Sequence, residues 1–403
     1  MQPPELQGEG VLVRALRSSD AAALVHLGRD PLVQRWLPGA PEPSRAEDAA
    51  AHVRAAAAQW ASWAGRGPLV LAVEVAGRCA GTLQLLADGA AGGELEVALL
   101  PQARGRGAAS SAVRLLLEWC FVELGLQAVH WRTEVGNWAG RRVAWACGSA
   151  VEGTVRDLLV RRGERRDAWV GSLRWDDPVR PRRRWLEPVA LAGGGVHLGP
   201  HAPEDVERIA EACAAPSTQA WLPSLPSPYT VLDAAGYVSS REEQHATGAG
   251  VYWAVRAEPG GPLLAEIGIF RLEEGSPSGE VGYWCHPDAR GRGVMTAATR
   301  LASAHALTTI ADGGLGLQRL VLRVARGNDA SRRVAEKAAF TRVGVDRAAE
   351  LLRDGTRVDF LRYDLLASEV GAQAAVRSAE RSAERSAERA TGRSAAAGSP
   401  SRG

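Results

Sequence analysis

An internal repeat limits how this chain can fold more than any other feature. Arg104-Gly105-Arg106-Gly107-Ala108-Ala109 is answered further along by Arg290-Gly291-Arg292-Gly293-Val294-Met295. Other landmarks return in the same order. Gln34-Arg35-Trp36-Leu37-Pro38 matches Gln219-Ala220-Trp221-Leu222-Pro223, Glu94 matches Glu280, and Pro101 matches Pro287. Asn137-Trp138-Ala139-Gly140-Arg141-Arg142-Val143-Ala144 matches Asn328-Asp329-Ala330-Ser331-Arg332-Arg333-Val334-Ala335. Order and near-constant spacing kept over so many points mean a duplicated domain. The fold must therefore be one that each half completes alone, and 403 residues suffice for two cores.

The copies are expected at residues 1–175 and 195–368. Residues 176–194 read as a linker, with Asp176-Asp177-Pro178, Arg182-Arg183-Arg184 and the glycines Gly193-Gly194-Gly195 that close it. Residues 369–403 read as a disordered low-complexity tail, in which Arg377-Ser378-Ala379-Glu380 recurs and little is left to bury.

Composition excludes several classes. The formal net charge of +2 gives no global reason to bind nucleic acid. Lys337 is the only lysine, and the excess of arginine reads as coding bias. Five scattered cysteines without a CxxC pair suggest neither a disulfide framework nor a zinc site, which fits a reducing cytoplasm. His130, His286 and His305 lack ligand-spaced partners, so no metal is expected. No secretory leader and no membrane span are expected.

Hydrophobic periodicity gives the same element order in both halves. A first strand is expected at 10–16 and 195–199, then helical segments at 20–28 and 203–213, and at 45–63 and 231–247. Alternating strands follow at 69–75, 79–86 and 94–100, and at 251–257, 263–272 and 280–285. Each glycine hexad then opens a long helix. A strand (128–133; 319–325), a short helix after Asn137 or Asn328, and two closing strands complete the copy. This is α/β organisation with a mixed sheet.

A strand that turns through glycines into a helix leaves several backbone N–H groups aimed at one point, where the helix dipole favours negative charge. Gly105, Gly107, Gly291 and Gly293 remove side chains where a diphosphate would approach, and Arg104, Arg106, Arg290 and Arg292 add charge. No GxxxxGK[ST] follows either hexad, which disfavours a nucleotide-binding protein.

Both halves resemble the GNAT superfamily of acyl-CoA-dependent N-acetyltransferases. The second is similar to the branch containing the ribosomal-protein N-terminal acetyltransferases of RimJ/RimL type. The residues carrying this are His286-Pro287-Asp288-Ala289-Arg290-Gly291-Arg292-Gly293-Val294-Met295-Thr296, Leu320-Val321-Leu322-Arg323-Val324, the Asn328 segment and Ala339-Phe340. The resemblance implies tandem GNAT domains, each a mixed, mostly antiparallel sheet flanked by helices, with the fourth and fifth strands splayed to admit acetyl-CoA. Its diphosphate would rest on the amides of 104–109 and 290–295, and the amine acceptor would enter from the other side of the sheet.

The resemblance also assigns roles. Glu94 and Glu280 are the expected bases, since an ammonium must lose a proton before it can attack. Backbone N–H groups near 98–99 or 284–285 would face the oxyanion. Ser331 would stand near the CoA sulfur or begin its helix, and copy one has Gly140 instead. Asn137 and Asn328 either position the cofactor or cap the helix. Glu96, opposite Gly282, reads as a solvated strand residue. Trp36 and Trp221 either line the acceptor entrance or anchor their loops. Met295, Ala339 and the missing serine of copy one depart from the pattern, and the second copy is expected to be the better catalyst. The expected function is acetyl transfer to a primary amine, either a protein N-terminus or a small molecule. The alternative is a non-catalytic acyl-CoA sensor or scaffold.

Overall fold

The computed structural model describes residues 1–37, 45–272 and 275–370. Pro38 and the expected tail beyond residue 370 lie outside the described residues. The chain divides into two compact units, Met1–Arg182 and Arg183–Gly403.

In the first unit the order is β1 (Leu6–Gly8), β2 (Val11–Arg14), α1 (Ala21–Arg29), α2 (Pro31–Trp36), α3 (Ala46–Ser62), β3 (Arg66–Val75), β4 (Arg78–Asp88) and β5 (Gly92–Leu99). Then come α4 (Ala108–Val122), β6 (Ala128–Glu134), α5 (Trp138–Ala146), β7 (Ala150–Arg161) and β8 (Glu164–Arg174). The strands form one sheet in the order β1-β2-β3-β4-β5-β6-β8-β7.

The second unit repeats this: β9 (Leu191–Gly193), β10 (Val196–Gly199), α6 (Asp205–Ala214), α7 (Pro216–Gln219), α8 (Val231–Thr247), β11 (Gly250–Arg256), β12 (Ala265–Phe270) and β13 (Ser278–Cys285). It closes with α9 (Val294–Leu307), β14 (Arg319–Ala325), α10 (Asp329–Lys337), β15 (Thr341–Leu351) and β16 (Arg357–Leu366). Its sheet runs β9-β10-β11-β12-β13-β14-β16-β15. Among the described residues each sheet is antiparallel except at one place, β5 beside β6 and β13 beside β14.

Helices cover both faces of each sheet, so the central strands are continuously apolar rather than alternating. Leu69, Leu71 and Leu83 pack under Leu116, Leu117 and Cys120 of α4. Val70 and Ala72 face the other way, under Leu24 of α1 and Val53 of α3. In the second unit Trp253 and Ile267 lie beneath Ala298, Ala302 and Ala306 of α9, while Ala254 and Trp284 meet Ile209 and Ala234.

Three features differ from expectation. The first strand of each unit is a hairpin, β1–β2 and β9–β10, whose outer strands are too short for a periodic signal. Helices α2 and α7 each start with a proline in the first turn, as a helix N-terminus favours. Residues 184–193, read as linker, are packed structure: Leu186 is buried in the core, Val189 accepts from the Trp253 indole, and β9 pairs with β10.

The helical corner is pinned the same way in both units, but by different arginines. Asp20 is buried and paired bidentately with Arg14 of β2, at 2.8 and 3.0 Å, and Glu74 of β3 flanks the same guanidinium. Asp205 holds the matching place, yet its partner is Arg256 on β11. The strand registers set Arg14 against Gly199 and Glu74 against Arg256. The charge has moved one strand over while the carboxylate stayed.

Candidate functional site

Each glycine hexad forms a turn ahead of its helix. Gly105 and Gly107 have φ of +72° and +80°, Gly291 and Gly293 +76° and +79°, a region that other residues enter only under strain. A Cβ built at any of the four meets nothing within 4 Å, so the turns are open. With Gly107 and Gly293 as N-caps, helix geometry leaves the amides of Ala108, Ala109 and Ser110, and of Val294, Met295 and Thr296, without an intrahelical acceptor. Such a cradle fits a diphosphate.

The first arginine of each hexad is engaged elsewhere. Arg104 donates to the Leu99 carbonyl (2.9 Å) and to Asp30 (2.6 Å), which caps α2. Burial pushes the Asp30 carboxyl up, but Arg104 and the Val33 and Leu32 amides bring it below its ordinary value. Arg290 donates to the Cys285 carbonyl (3.2 Å), Ser217 and Thr218 (2.7 Å each). Both arginines tie the turn to the α1–α2 or α6–α7 corner. Exposed Arg106 and Arg292 remain at the lip.

Beside each cradle the parallel strands part. β5 and β6 are in register only from Gly92↔Ala128 to Glu94↔His130, and β13 and β14 only from Ser278↔Arg319 to Val281↔Leu322. Beyond that, successive side chains point to opposite faces. Val97 and Tyr283 lie on the side of α4 or α9. Glu94 and Glu96, like Glu280, lie on the side of α1–α3 or α6–α8.

Glu94 accepts from Arg132 (2.7 Å), and Glu280 is held by Arg323 (3.0 Å) and Arg271 (2.7 Å). The position expected to supply a base is thus an ion pair in both units. Glu96 has no hydrogen bond or ion pair among the described residues. Burial, then repulsion from Glu94, raises its carboxyl above the ordinary value, with Arg132 opposing. Glu96 is therefore half-buried rather than a solvated strand residue.

Asn137 and Asn328 are helix caps, accepting at 3.1 Å from the amides of Gly140 and Ser331. The Asn137 amide also donates to Thr133 (2.7 Å), so both its ends are engaged. A Cβ at Gly140 would lie 2.9 Å from the Asn137 side chain, whereas the matching Asn328 cap accommodates Ser331. The Ser331 hydroxyl is 2.9 Å from that of Tyr283, a partner that sequence reasoning missed. Burial pushes the Tyr283 phenol up to about 12, with the Ser331 bond opposing, so it keeps its proton. Trp36 rests over Gly136 and Trp221 over Gly327, anchoring the loops, and Trp36 also lines a cleft.

That cleft, about 360 Å³, follows the divergence in the first unit, between Val97 and Leu117 on one side and Asn137 and Val143 on the other. A second pocket of about 260 Å³ opens toward α1–α3. The two share Leu37, Glu96 and Val97.

The second unit fills the corresponding space. The registers set Val70, Thr82, Gln84, Glu96 and Ala98 against Tyr252, Glu266, Gly268, Gly282 and Trp284. A Cβ on Gly268 would come within 2.4 Å of the Tyr252 ring, and one on Gly282 within 2.7 Å of Phe270. These glycines make room for two stacked rings. Arg241 lies 3.9 and 4.0 Å from the Tyr237 and Tyr252 ring centres. Glu266 is 3 % exposed, lies 2.8 Å from His201 and accepts from the Tyr237 hydroxyl. Burial presses this carboxyl up, but His201, Arg241 and Tyr237 bring it below its ordinary value.

Among the described residues no cluster of three or more His, Cys, Asp or Glu is able to hold a metal, and no helix is long and apolar enough to cross a membrane.

The family model described as acetyltransferase (GNAT) domain matches twice, at residues 11–150 and 196–341. YdaF of Bacillus subtilis (strain 168), provisionally named a ribosomal N-acetyltransferase, is 34% identical over 109 residues. That is 27% of this chain, and the match spans about half (56%) of YdaF. A provisionally named acetyltransferase from T. thermophilus is 25% identical, with 44% of this chain and 92% of that one covered and a TM-score of 0.38. Mycobacterium smegmatis RimJ, solved with CoA-disulfide, is 18% identical over 46% of this chain and 91% of its own, with a TM-score of 0.40.

Proposed function

This chain belongs to the GNAT acetyltransferase domain family, and we propose that it is an acetyl-CoA-dependent N-acetyltransferase acting on a primary amine. The observation that carries the reading is the pairing, in both units, of an open glycine cradle with parallel strands that part beside it. The amides of 105–109 and 291–295, with Arg106 and Arg292, would hold the diphosphate. When bound, acetyl-CoA supplies a thioester carbonyl open to attack. Past the last paired residue, those backbone N–H groups of β5 and β13 not turned to β4 or β12 would face the gap and suit a developing oxyanion. A carboxylate on the opposite face takes the proton that the ammonium must lose. In the second unit Tyr283, bonded to Ser331, is a protonated donor on the α9 side of the sheet. The five free cysteines suit a reducing compartment, the cytoplasm, and neither nucleic acid nor membrane is required.

The acceptor is a protein N-terminus, as the name of YdaF suggests for that relative, or a small amine. The filled face at Trp284, Tyr252 and Glu266 favours a binding-only role for the second unit. Calorimetry with acetyl-CoA tests the cofactor, with heat of binding expected. Thiol release on adding primary amines tests the transfer. A chain that takes up no acetyl-CoA overturns the reading.

A further inference from the structure

Resting on the acetyltransferase reading, we infer that the 260 Å³ pocket of the first unit is the acceptor site, that it selects compact primary amines with an apolar body and no carboxylate, and that Glu96 receives the amine proton. Its position argues first. The pocket lies on the face away from α4 and meets the cleft along the parted strands at Leu37, Glu96 and Val97. An amine seated there reaches the gap without crossing the cradle.

Its chemistry argues next. Leu24, Leu27 and Val33 supply an apolar wall, Asp48 and Glu96 supply negative charge, and among the described residues no lysine or arginine lines the pocket. An ammonium finds a carboxylate, whereas a carboxylate on the ligand would be desolvated beside like charge. Burial lowers the His52 imidazole, so it offers no compensating cation near neutral pH. The volume, below that of sites for drug-sized ligands, suits one ring on a short arm.

Glu96 is the carboxylate with capacity to spare. Glu94, two residues away on the same face, is held by Arg132, and Glu96 is not held by any described residue. The ammonium gives one proton to Glu96. The freed nitrogen lone pair forms the C–N bond to the acyl carbon, and the C–S bond breaks with its electrons on sulfur. The second nitrogen proton ends on the thiol, and Glu96 returns its own to solvent.

The test compares 2-phenylethylamine with L-phenylalanine, which add and remove only the carboxylate, by thiol release from the full chain with acetyl-CoA. A kcat/KM roughly 100-fold or more in favour of 2-phenylethylamine is expected. Glu96→Gln should lower that value about 100-fold or more and remove the rise of rate with pH through the Glu96 ionisation, with acetyl-CoA affinity kept. His52→Arg, which sets a guanidinium at the pocket, should narrow the gap between the two amines. Equal rates, turnover of neither amine by a chain that binds acetyl-CoA, an unaltered Glu96→Gln rate, or a gap unmoved by His52→Arg overturns the assignment. Absence of acetyl-CoA binding instead removes the reading beneath it.

Discussion

Position by position, the first unit sets Gln84, Glu96 and Ala98 where the second sets Gly268, Gly282 and Trp284. The backbone path and strand order are the same. In the first unit the small Ala98 and Val70 leave a pocket, and Glu96 stands at its junction with the cleft. In the second, glycines do not leave space: they admit Tyr252 and Phe270, and Trp284 packs with Ile209 and Ala234. Matching glycine turns thus stand beside one open and one more filled face of the sheet. The likeness of the hexads hides the difference, because it lies in a few side-chain volumes on two adjacent strands.

The largest test of this contrast exchanges the carboxylates. Glu96→Gln should cost about 10²- to 10⁴-fold in kcat/KM, whereas Glu280→Gln, already neutralised by Arg323 and Arg271, should leave turnover within about twofold. The reverse ranking, read from thiol release, would move catalysis to the second unit.

Next come the corners. Arg14→Met strands Asp20 and Arg256→Met strands Asp205, each at about 3–5 kcal/mol, read from denaturant unfolding. The pH dependence follows from Asp20. Burial raises this carboxyl, but Arg14 and the Arg17 amide bring it below its unfolded value. Its contribution is full above the unfolded pKa of about 3.9 and is lost as pH falls through the lower folded value. Arg14→Met should flatten that acid limb of the stability profile.

Smaller effects probe what the units share. Gly107→Ala and Gly293→Ala impose a strained φ at a cost of about 1–2 kcal/mol each, read from denaturant unfolding. Unequal losses would show that the cradles are not equivalent. Smallest, Ser331→Ala removes the Tyr283 bond for about 1 kcal/mol, read as a slight shift in Tm.

Much of this is legible in the sequence. The repeat, the hexads and the long helices follow from glycine placement and apolar period, and those set the tandem fold. The shared face of Glu94 and Glu96 also follows from strand alternation. Partners are not legible: Arg104 meets Asp30, 74 residues away, and Tyr283 meets Ser331, 48 away, through contacts that only the folded sheet creates. Arg104 and Arg290 read as phosphate ligands in the sequence because charge beside a glycine turn is ambiguous until its neighbours are known. Leu186 reads as linker because proline, glycine and arginine surround one core residue. Glu96 reads as solvated because its exposure depends on α1–α3, which lie far from it in sequence.

The relocated arginine at the helical corner has a genetic corollary. Exchange between the two half-genes anywhere from the codon after Asp20 to that before Glu74 would give one hybrid with both Arg14 and Arg256 around a lone aspartate. The reciprocal hybrid would bury Asp205 near Glu74 with no cation. The first hybrid has a guanidinium in excess and the second has carboxylates without one, so exchange that would homogenise the halves is opposed and their pockets are free to diverge.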